Sequence, residues 1–252
     1  KYVRVAIFTR SGSSITVSPT SNAYTSGNAS EPAIEFDPDT SGKFILTFNN
    51  SSNDFSAIVG TFSGSAGSES FSYGSATTID TSWQQGEPAL FPTGTSGNFI
   101  AVAENKGTAY PNMRILTVSG TTVSASGSTV TLSSQISGAK YAPDPNDRNS
   151  GIVLRHSTQS SNRYLYGLPI TISGTTISQG SETQLSASNE YESTYTYAKI
   201  AAVDSSKYLV IGGDNTNQRL YGFVFTVSGG AITSYESSRT LISTTAFGSI
   251  SY

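Results

Sequence analysis

The sequence predicts an all-β fold: a β-propeller of four-stranded antiparallel blades, about five of them, with part of a six- or seven-bladed propeller as the alternative. Three observations carry this. A Ser-Gly pair follows a short apolar run five times, at Ser11-Gly12, Ser63-Gly64, Ser119-Gly120, Ser173-Gly174 and Ser228-Gly229, spaced by 52, 56, 54 and 55 residues. Repeats of this length mark arrays and propellers. Four short runs rich in β-branched and aromatic residues recur around each pair, bounded by Gly, Asn, Asp and Ser clusters, which is the strand signature. No stretch of ten or more residues carries a helical apolar period with caps. A flat or curved β-array is the competing reading of the same repeat.

Taken in order, the first strand of each unit reads Pro32–Phe36, Pro88–Phe91, Ala139–Ala142 and Tyr197–Val203. The second follows a Gly- or Ser-marked turn: Gly42–Phe48, Gly97–Ala103, Gly151–Arg155 and Lys207–Ile211. The third is the run that ends at Ser-Gly: Ser56–Phe62, Met113–Val118, Leu165–Ile172 and Leu220–Val227. The fourth alternates after that turn: Ser14–Val17, Thr121–Ser124, Thr175–Ser178 and Ala231–Ser234. Ser-Gly-Thr-Thr and Ser-Gly-Gly-Ala links suit tight hairpins, because Gly supplies positive φ. Such a unit has too little apolar surface for its own core and must share one with its neighbours. The chain is therefore read as a single domain over 1–252, with units 1–30 (partial), 31–86, 87–138, 139–194 and 195–252. Phe44, Phe99, Ile152 and Tyr208 are expected at equivalent second-strand positions, buried between blades.

Lys1 aligns with Gln218, so the chain opens on a third strand, and Gly248–Tyr252 resembles a first strand. The expectation is that this last strand lies beside the hairpin of 1–25 and closes the ring, removing free sheet edges. There is no initiator Met and no signal peptide, which reads as a mature product or a piece of a longer chain.

Composition excludes several chemistries. Of the 252 residues, 12% are charged and the net charge is −3. With no basic stripe, nucleic acid is not an expected partner. There is no cysteine, hence no disulfide framework and no thiolate nucleophile. One histidine rules out a His-rich metal site. No apolar run reaches membrane-spanning length, so no membrane insertion is expected.

Candidate catalytic and metal-binding motifs each meet a simpler reading. Asp37-Pro-Asp39-Thr-Ser-Gly42 is faintly like a calcium loop, yet the position of the bidentate Glu is Phe48. The turn chemistry of Asp37 and of Asp144-Pro-Asn-Asp147 explains these residues as Asx turns, with a calcium ion at Asp37/Asp39 as the minor alternative and no other cofactor expected. His156, the lone imidazole, has no Gly-x-Ser-x-Gly elbow to serve. The Ser-x-Asp-x-Gly-x-x-Trp box of propeller sialidases is absent. Glycoside cleavage needs two positioned carboxylates; Glu31, Glu87, Glu104, Asp80 and Asp214 are available, but nothing in the sequence pairs them. No catalytic or metal-ligating residue is assigned.

The links between second and third strands are polar: Asn49–Asp54, Glu104–Tyr110, Ser157–Tyr164 and Asp214–Arg219. In a four-stranded blade they emerge on the same face as the links between units, which hold Trp83, Gln84, Gln85, Tyr191 and Tyr195. A ligand-binding set of Trp83, Asn105, Tyr110, Arg163, Tyr164, Asn215 and Arg219 is expected there. Rings offer stacking, guanidinium groups offer forked donors and amides orient hydroxyls. The simpler reading is a solvated set of spacer loops.

The string from Glu31 to Phe48, then Ala57 to Gly64, then Phe71-Ser-Tyr-Gly-Ser75 resembles a repeat of β-propeller-like virion and tail-fibre proteins of marine bacteriophages. The first unit matches well; Phe91-Pro-Thr-Gly replaces the Phe-Asp-Pro-Asp stretch in the second, and Ala202-Val-Asp-Ser-Ser-Lys is shortened in the last. The resemblance covers turn and core residues over nearly the whole chain and carries no active site. It implies a non-enzymatic structural or adhesion module of a virion or cell surface, located on the virion or outside the cell. Its implied partners are other virion or surface proteins and a host glycan or receptor. A purely structural assembly protein of a virion or filament, and a propeller-fold glycosidase, are the alternatives.

Overall fold

Each repeat folds into its own antiparallel sheet, strand after strand in chain order. The computed structural model describes residues 2–65, 67–108, 110–132, 139–159, 162–186, 198–214, 219–235 and 240–243, without the side chains of 85–89, 156–159, 162–163, 213–214, 219, 235 and 243. The N-terminal hairpin is split in two. Strands β1 (Val3–Val5) and β4 (Ser21–Tyr24) pair at its base, β2 (Phe8–Ser11) and β3 (Ser14–Val17) at its tip. The first full unit is β5 (Ser30–Phe36), β6 (Lys43–Asn49), β7 (Phe55–Ser63), β8 (Ser70–Tyr73) and β9 (Thr77–Asp80). The second is β10 (Trp83–Pro92), β11 (Asn98–Asn105), β12 (Pro111–Ser119) and β13 (Thr122–Thr131). The third is β14 (Lys140–Pro143), β15 (Ser150–Gln159), β16 (Asn162–Ser173), β17 (Thr176–Gln179) and β18 (Thr183–Gln184). The fourth is β19 (Lys199–Ala202), β20 (Lys207–Asp214), β21 (Arg219–Ser228), β22 (Ala231–Tyr235) and β23 (Thr240–Ser243).

Within every full unit the order is first–second–third–fourth strand, as the sequence predicts, and no helix occurs among the described residues. The fourth strand holds a feature the sequence does not announce. It breaks and resumes on the same partner, as β8 then β9 on β7, β17 then β18 on β16, and β22 then β23 on β21; in β13 the break is a register shift. In the hairpin and in the second, third and fourth units the turn into the fourth strand is a two-residue loop, with Ser11 paired to Ser14, Ser119 to Thr122, Ser173 to Thr176 and Ser228 to Ala231; in the first full unit it is longer, and Ser63 pairs with Ser70. The first glycine of each two-residue loop has φ near +60°, the geometry that matches strand twist in a hairpin.

The core lies between units. Four apolar clusters each straddle one boundary. Val3 and Val5 of the hairpin meet Phe44 and Phe48 of the first unit; Ile45 and Val59 of that unit meet Phe99 and Leu116 of the second. Ile100 and Ile115 then meet Val153 and Ile170 of the third; Ile152 and Leu165 meet Tyr208 and Phe225 of the fourth. The two faces of each strand alternate because side chains alternate: one face points back to the preceding unit, the other forward to the next. Phe44, Phe99, Ile152 and Tyr208 are all buried, as expected. One equivalence needs correction. Phe44 pairs with Gly60, Phe99 with Leu116 and Tyr208 with Phe225, each three residues before the turn serine; in the third unit that partner, Ile170, pairs with Gly151. Ile152 is therefore one place on and faces forward, because one residue of slip exchanges the faces.

Successive units are also keyed by backbone. A methyl group on Gly74 would lie 1.8 Å from the carbonyl oxygen of Thr121, one on Gly127 2.1 Å from that of Thr175, and one on Gly180 2.2 Å from that of Gly230. Each of these glycines sits at the break in a fourth strand and receives the hairpin turn of the next unit. The segment 244–252 lies outside the described residues, and with it the expected closing strand.

Truncating Phe99 to Ala should lower unfolding free energy by about 3–5 kcal/mol, since its ring is fully enclosed. Urea titration measures this; a loss below about 1 kcal/mol would mean that the boundary between the first and second units is not close-packed.

Candidate functional site

Among the described residues this arrangement frames two hollows that bear on function. One is a cavity of about 310 Å³ touched by the first strand of all four full units: Ala33, Ile34 and Glu35 on β5, Leu90 and Phe91 on β10, Lys140 and Tyr141 on β14, Lys199 and Ile200 on β19. At one end the links after the first strands also converge, where Arg148 reaches Asp39 two units away at 3.1 Å and Asn149 accepts the Gly94 amide at 2.9 Å. Burial pushes Glu35 above the ordinary carboxylate range. Burial, followed by the charge of Lys199, brings the Lys140 amine down from 10.5 to about 7.

The other hollow, about 280 Å³, lies on the loops at the end where second strands pass into third. It is lined by Asn28 and Ala29 before β5, by Ser30 at its start, and by Asn50, Ser51 and Asn53 between β6 and β7. Its wall is built from Asx chemistry: Asn50 Oδ1 accepts the amides of Ser52 at 2.9 Å and Asp54 at 3.0 Å, and Asn50 Nδ2 donates to Ser56 Oγ. Asn53 Nδ2 donates to Gln84 of the next unit at 3.2 Å, and Lys106 pairs with Asp54, so two units brace the rim. The two non-glycine residues with positive φ among those described are Asn53 (61°) and Glu31 (50°). One lines this hollow and the other follows Ser30. Glu31 accepts a hydrogen bond from Asn49 Nδ2 at 3.2 Å. Burial, then the Glu104 carboxylate, raises its pKa above the usual value. A strained backbone of this kind costs on the order of 1–3 kcal/mol and concentrates at functional sites.

The expected binding set falls differently. Trp83 is the main correction. Its position between Ser and Gln residues suggests an exposed ring, but it opens β10 opposite Asn105 and packs on Phe55, ring centroids 5.7 Å apart, inside the boundary between two units. It offers no stacking surface. Asn105 and Tyr110 close the loop after β11, with Asn105 N donating to Tyr110 O at 2.9 Å. Arg163 and Tyr164 stand on β16 opposite Thr158 and Ser157, so they belong to a strand pair rather than a loop; Tyr164 is half-buried with its ring edge toward Tyr166. Arg219 begins β21 opposite Asp214, and Asn215, Tyr191 and Tyr195 lie outside the described residues. The set is thus spread over the hairpins of three successive units. The hollow that does form holds none of it. Its signal in the sequence was the run Asn49-Asn50-Ser51-Ser52-Asn53, which reads equally as an ordinary polar loop.

At the calcium-like loop, Asp37 Oδ1 accepts the Asp39 amide at 3.0 Å and Asp144 Oδ1 accepts the Asn146 amide at 2.8 Å. These are Asx turns, and Asp39 is engaged by Arg148. No group of three metal-ligating side chains occurs among the described residues. The His156 side chain is outside the description; its strand neighbour Arg155 is buried, clamps both oxygens of Glu182 and lies 4.9 Å from the Tyr166 ring centre.

No protein-family model matches the chain, and no curated protein matches it.

Replacing Lys140 by Met should raise stability at pH 6 by on the order of 3 kcal/mol. The unfolded amine keeps its proton up to about 10.5 while the folded one sheds it near 7, so wild-type stability rises across that window and the advantage of Met shrinks over the same range. Melting curves from pH 6 to 10 test this; a constant difference would show that Lys140 is not held in a desolvated site.

Proposed function

We propose that this chain is a propeller-type display module that recognises a glycan at its loop end, of the kind found on virions and cell surfaces. The architecture is read as four blades around one axis, with the N-terminal hairpin beginning a fifth. Its support is the single cavity shared by β5, β10, β14 and β19. The glycan reading rests on the hollow of Asn28, Ser30, Asn50, Ser51 and Asn53. Amides and hydroxyls there form a fixed donor–acceptor array, and Asn53 is held in its wall in the left-handed region. Neutral, planar amides suit sugar hydroxyls, which carry one donor and two acceptors each. The resemblance of Glu31–Gly64 to virion repeats points to the same class.

The test is a glycan array followed by titration of the strongest hit. Asn53→Gly removes one amide yet suits a φ of 61°. It should weaken binding by about tenfold while leaving the melting temperature unchanged or higher. An empty array, or full binding by N53G, would reject the glycan reading.

A second reading, glycoside hydrolysis, is favoured by one observation: burial and the nearby Glu104 carboxylate raise the pKa of Glu31, and a carboxyl group held protonated beside a second carboxylate is what the general acid of such a pair requires. Turnover of chromogenic glycosides, abolished in Glu31→Gln, would select it over the non-catalytic reading.

A further inference from the structure

One position of the first strand changes its chemistry between the second and third units. Ala33 pairs with Thr47, Ala89 with Val102, Lys140 with Leu154 and Lys199 with Ile211. Those partners stand three residues after Phe44, Phe99, Gly151 and Tyr208, so the four positions are equivalent. The scaffold accepts a methyl group there in two units and carries an amine in the next two. A long cationic side chain at a place where the repeat is satisfied by alanine is not a packing requirement, and local departures of this kind mark functional sites.

Both lysines line the cavity shared by the four first strands. β14 and β19 lie side by side, and the Lys140 amine is in hydrogen-bond contact with that of Lys199. An ammonium has three donors and no acceptor, so this contact requires one of the two to be a neutral amine with a lone pair. Burial, followed by the charge of Lys199, makes Lys140 the neutral one. The other titratable groups lining the cavity are Glu35 on β5 and Tyr141, whose hydroxyl donates to Ser150 O at 3.2 Å; β10 contributes Leu90 and Phe91. A desolvated amine next to a second cation is the arrangement that turns lysine into a nucleophile.

We propose that Lys140 captures a small oxo acid, a carboxylate with an adjacent carbonyl group, as an imine in this cavity, with Lys199 pairing the carboxylate. Lys140 Nζ is buried, so the flexible Lys199 stem turns aside as the acid enters. The Lys140 lone pair forms the new C–N bond and the carbonyl π pair moves to oxygen. Lys199 lends that oxygen a proton and takes one back from nitrogen. The oxygen then leaves as water with the two hydrogens that the amine gives up. No oxidant or reductant is consumed. This site is independent of the glycan reading, which concerns the hollow at the loop end.

The test is reductive trapping of the whole chain with glyoxylate and cyanoborohydride at pH 7, followed by peptide mapping. The reductant delivers a hydride to the imine carbon and fixes it as a carboxymethyl group. At that pH about half of an amine titrating near 7 carries its lone pair, against on the order of one in two thousand for an unperturbed lysine. Lys140 should therefore be modified at least about tenfold faster than the exposed Lys207. Acetaldehyde, which has no carboxylate, should modify Lys140 more slowly than glyoxylate in the wild type, and Lys199→Met should abolish that preference. Lys140→Met should lose the fast site while its circular dichroism melt remains cooperative. Labelling of Lys140 no faster than Lys207 would overturn the proposal, a result read on the wild-type chain and needing no variant. Fast labelling with equal rates for glyoxylate and acetaldehyde would overturn the role of Lys199 and the choice of an oxo acid.

Discussion

Everything in this fold depends on one constraint: a four-stranded sheet with two apolar faces cannot satisfy either of them alone. Ile45, Phe55, Ala57 and Val59 have no partners inside their own unit on that side; Phe99, Leu116 and Val123 of the next unit provide them. The apolar clusters therefore fall at boundaries, and the repeat length is set by what is needed to make one sheet that is apolar twice over. At roughly 25 cal/mol per Å² of apolar surface removed from water, these boundaries dominate the stabilisation. The paired side chains fix which faces meet. The glycine notches at Gly74, Gly127 and Gly180 fix how far one sheet slides on the next, because each admits a backbone turn where any side chain would collide.

Functional geometry follows from that stacking. With sheets side by side, their first strands come to one cavity, and their loops come to two ends. At one end the links are Asp-Pro and Gly turns tied by Arg148–Asp39 and Gly94–Asn149. At the other the link between β6 and β7 is amide-rich, and Asn53–Gln84 and Lys106–Asp54 brace neighbouring units. Among the described residues, the second end holds a hollow built from amides and hydroxyls. Its strained Asn53 and Glu31 are held by groups from their own and the adjacent sheet, which is how a local backbone cost is sustained.

Strand identity and order were legible because turn and core residues repeat: the Gly42 and Gly97 turns and the β-branched runs mean the same thing at each recurrence, and Ser-Gly ends the third strand each time, as a two-residue hairpin turn in four of its five occurrences and a longer loop after Ser63. Three things were not legible. The second pieces of the fourth strands, such as Thr183–Gln184, are too short and polar to show a period. Gly151 displaces the third unit by one place because the Tyr141 side chain, not one at 151, fills that space; a methyl on Gly151 would lie 2.5 Å from the Tyr141 hydroxyl. Trp83 looks like a surface ring in its polar neighbourhood, and only the pairing with Asn105 and the facing Phe55 turn it inward. Which loops enclose a hollow depends on inter-unit packing that no single repeat encodes, so the hollow of Asn28, Ser30, Asn50, Ser51 and Asn53 was not singled out.

The most direct measurement of the central claim, that units are locked turn-into-glycine across shared faces, is the stability of three Gly→Ala variants. Gly74 and Gly180 have ordinary φ, so alanine there is wrong only because its methyl would strike the next unit's backbone; at Gly107 the nearest atom is 3.6 Å away. Urea denaturation should show G74A and G180A destabilised by about 1–3 kcal/mol and G107A changed by less than about 0.5 kcal/mol. Equal stability of all three would contradict the account, because the sheets would then not be seated on one another as described.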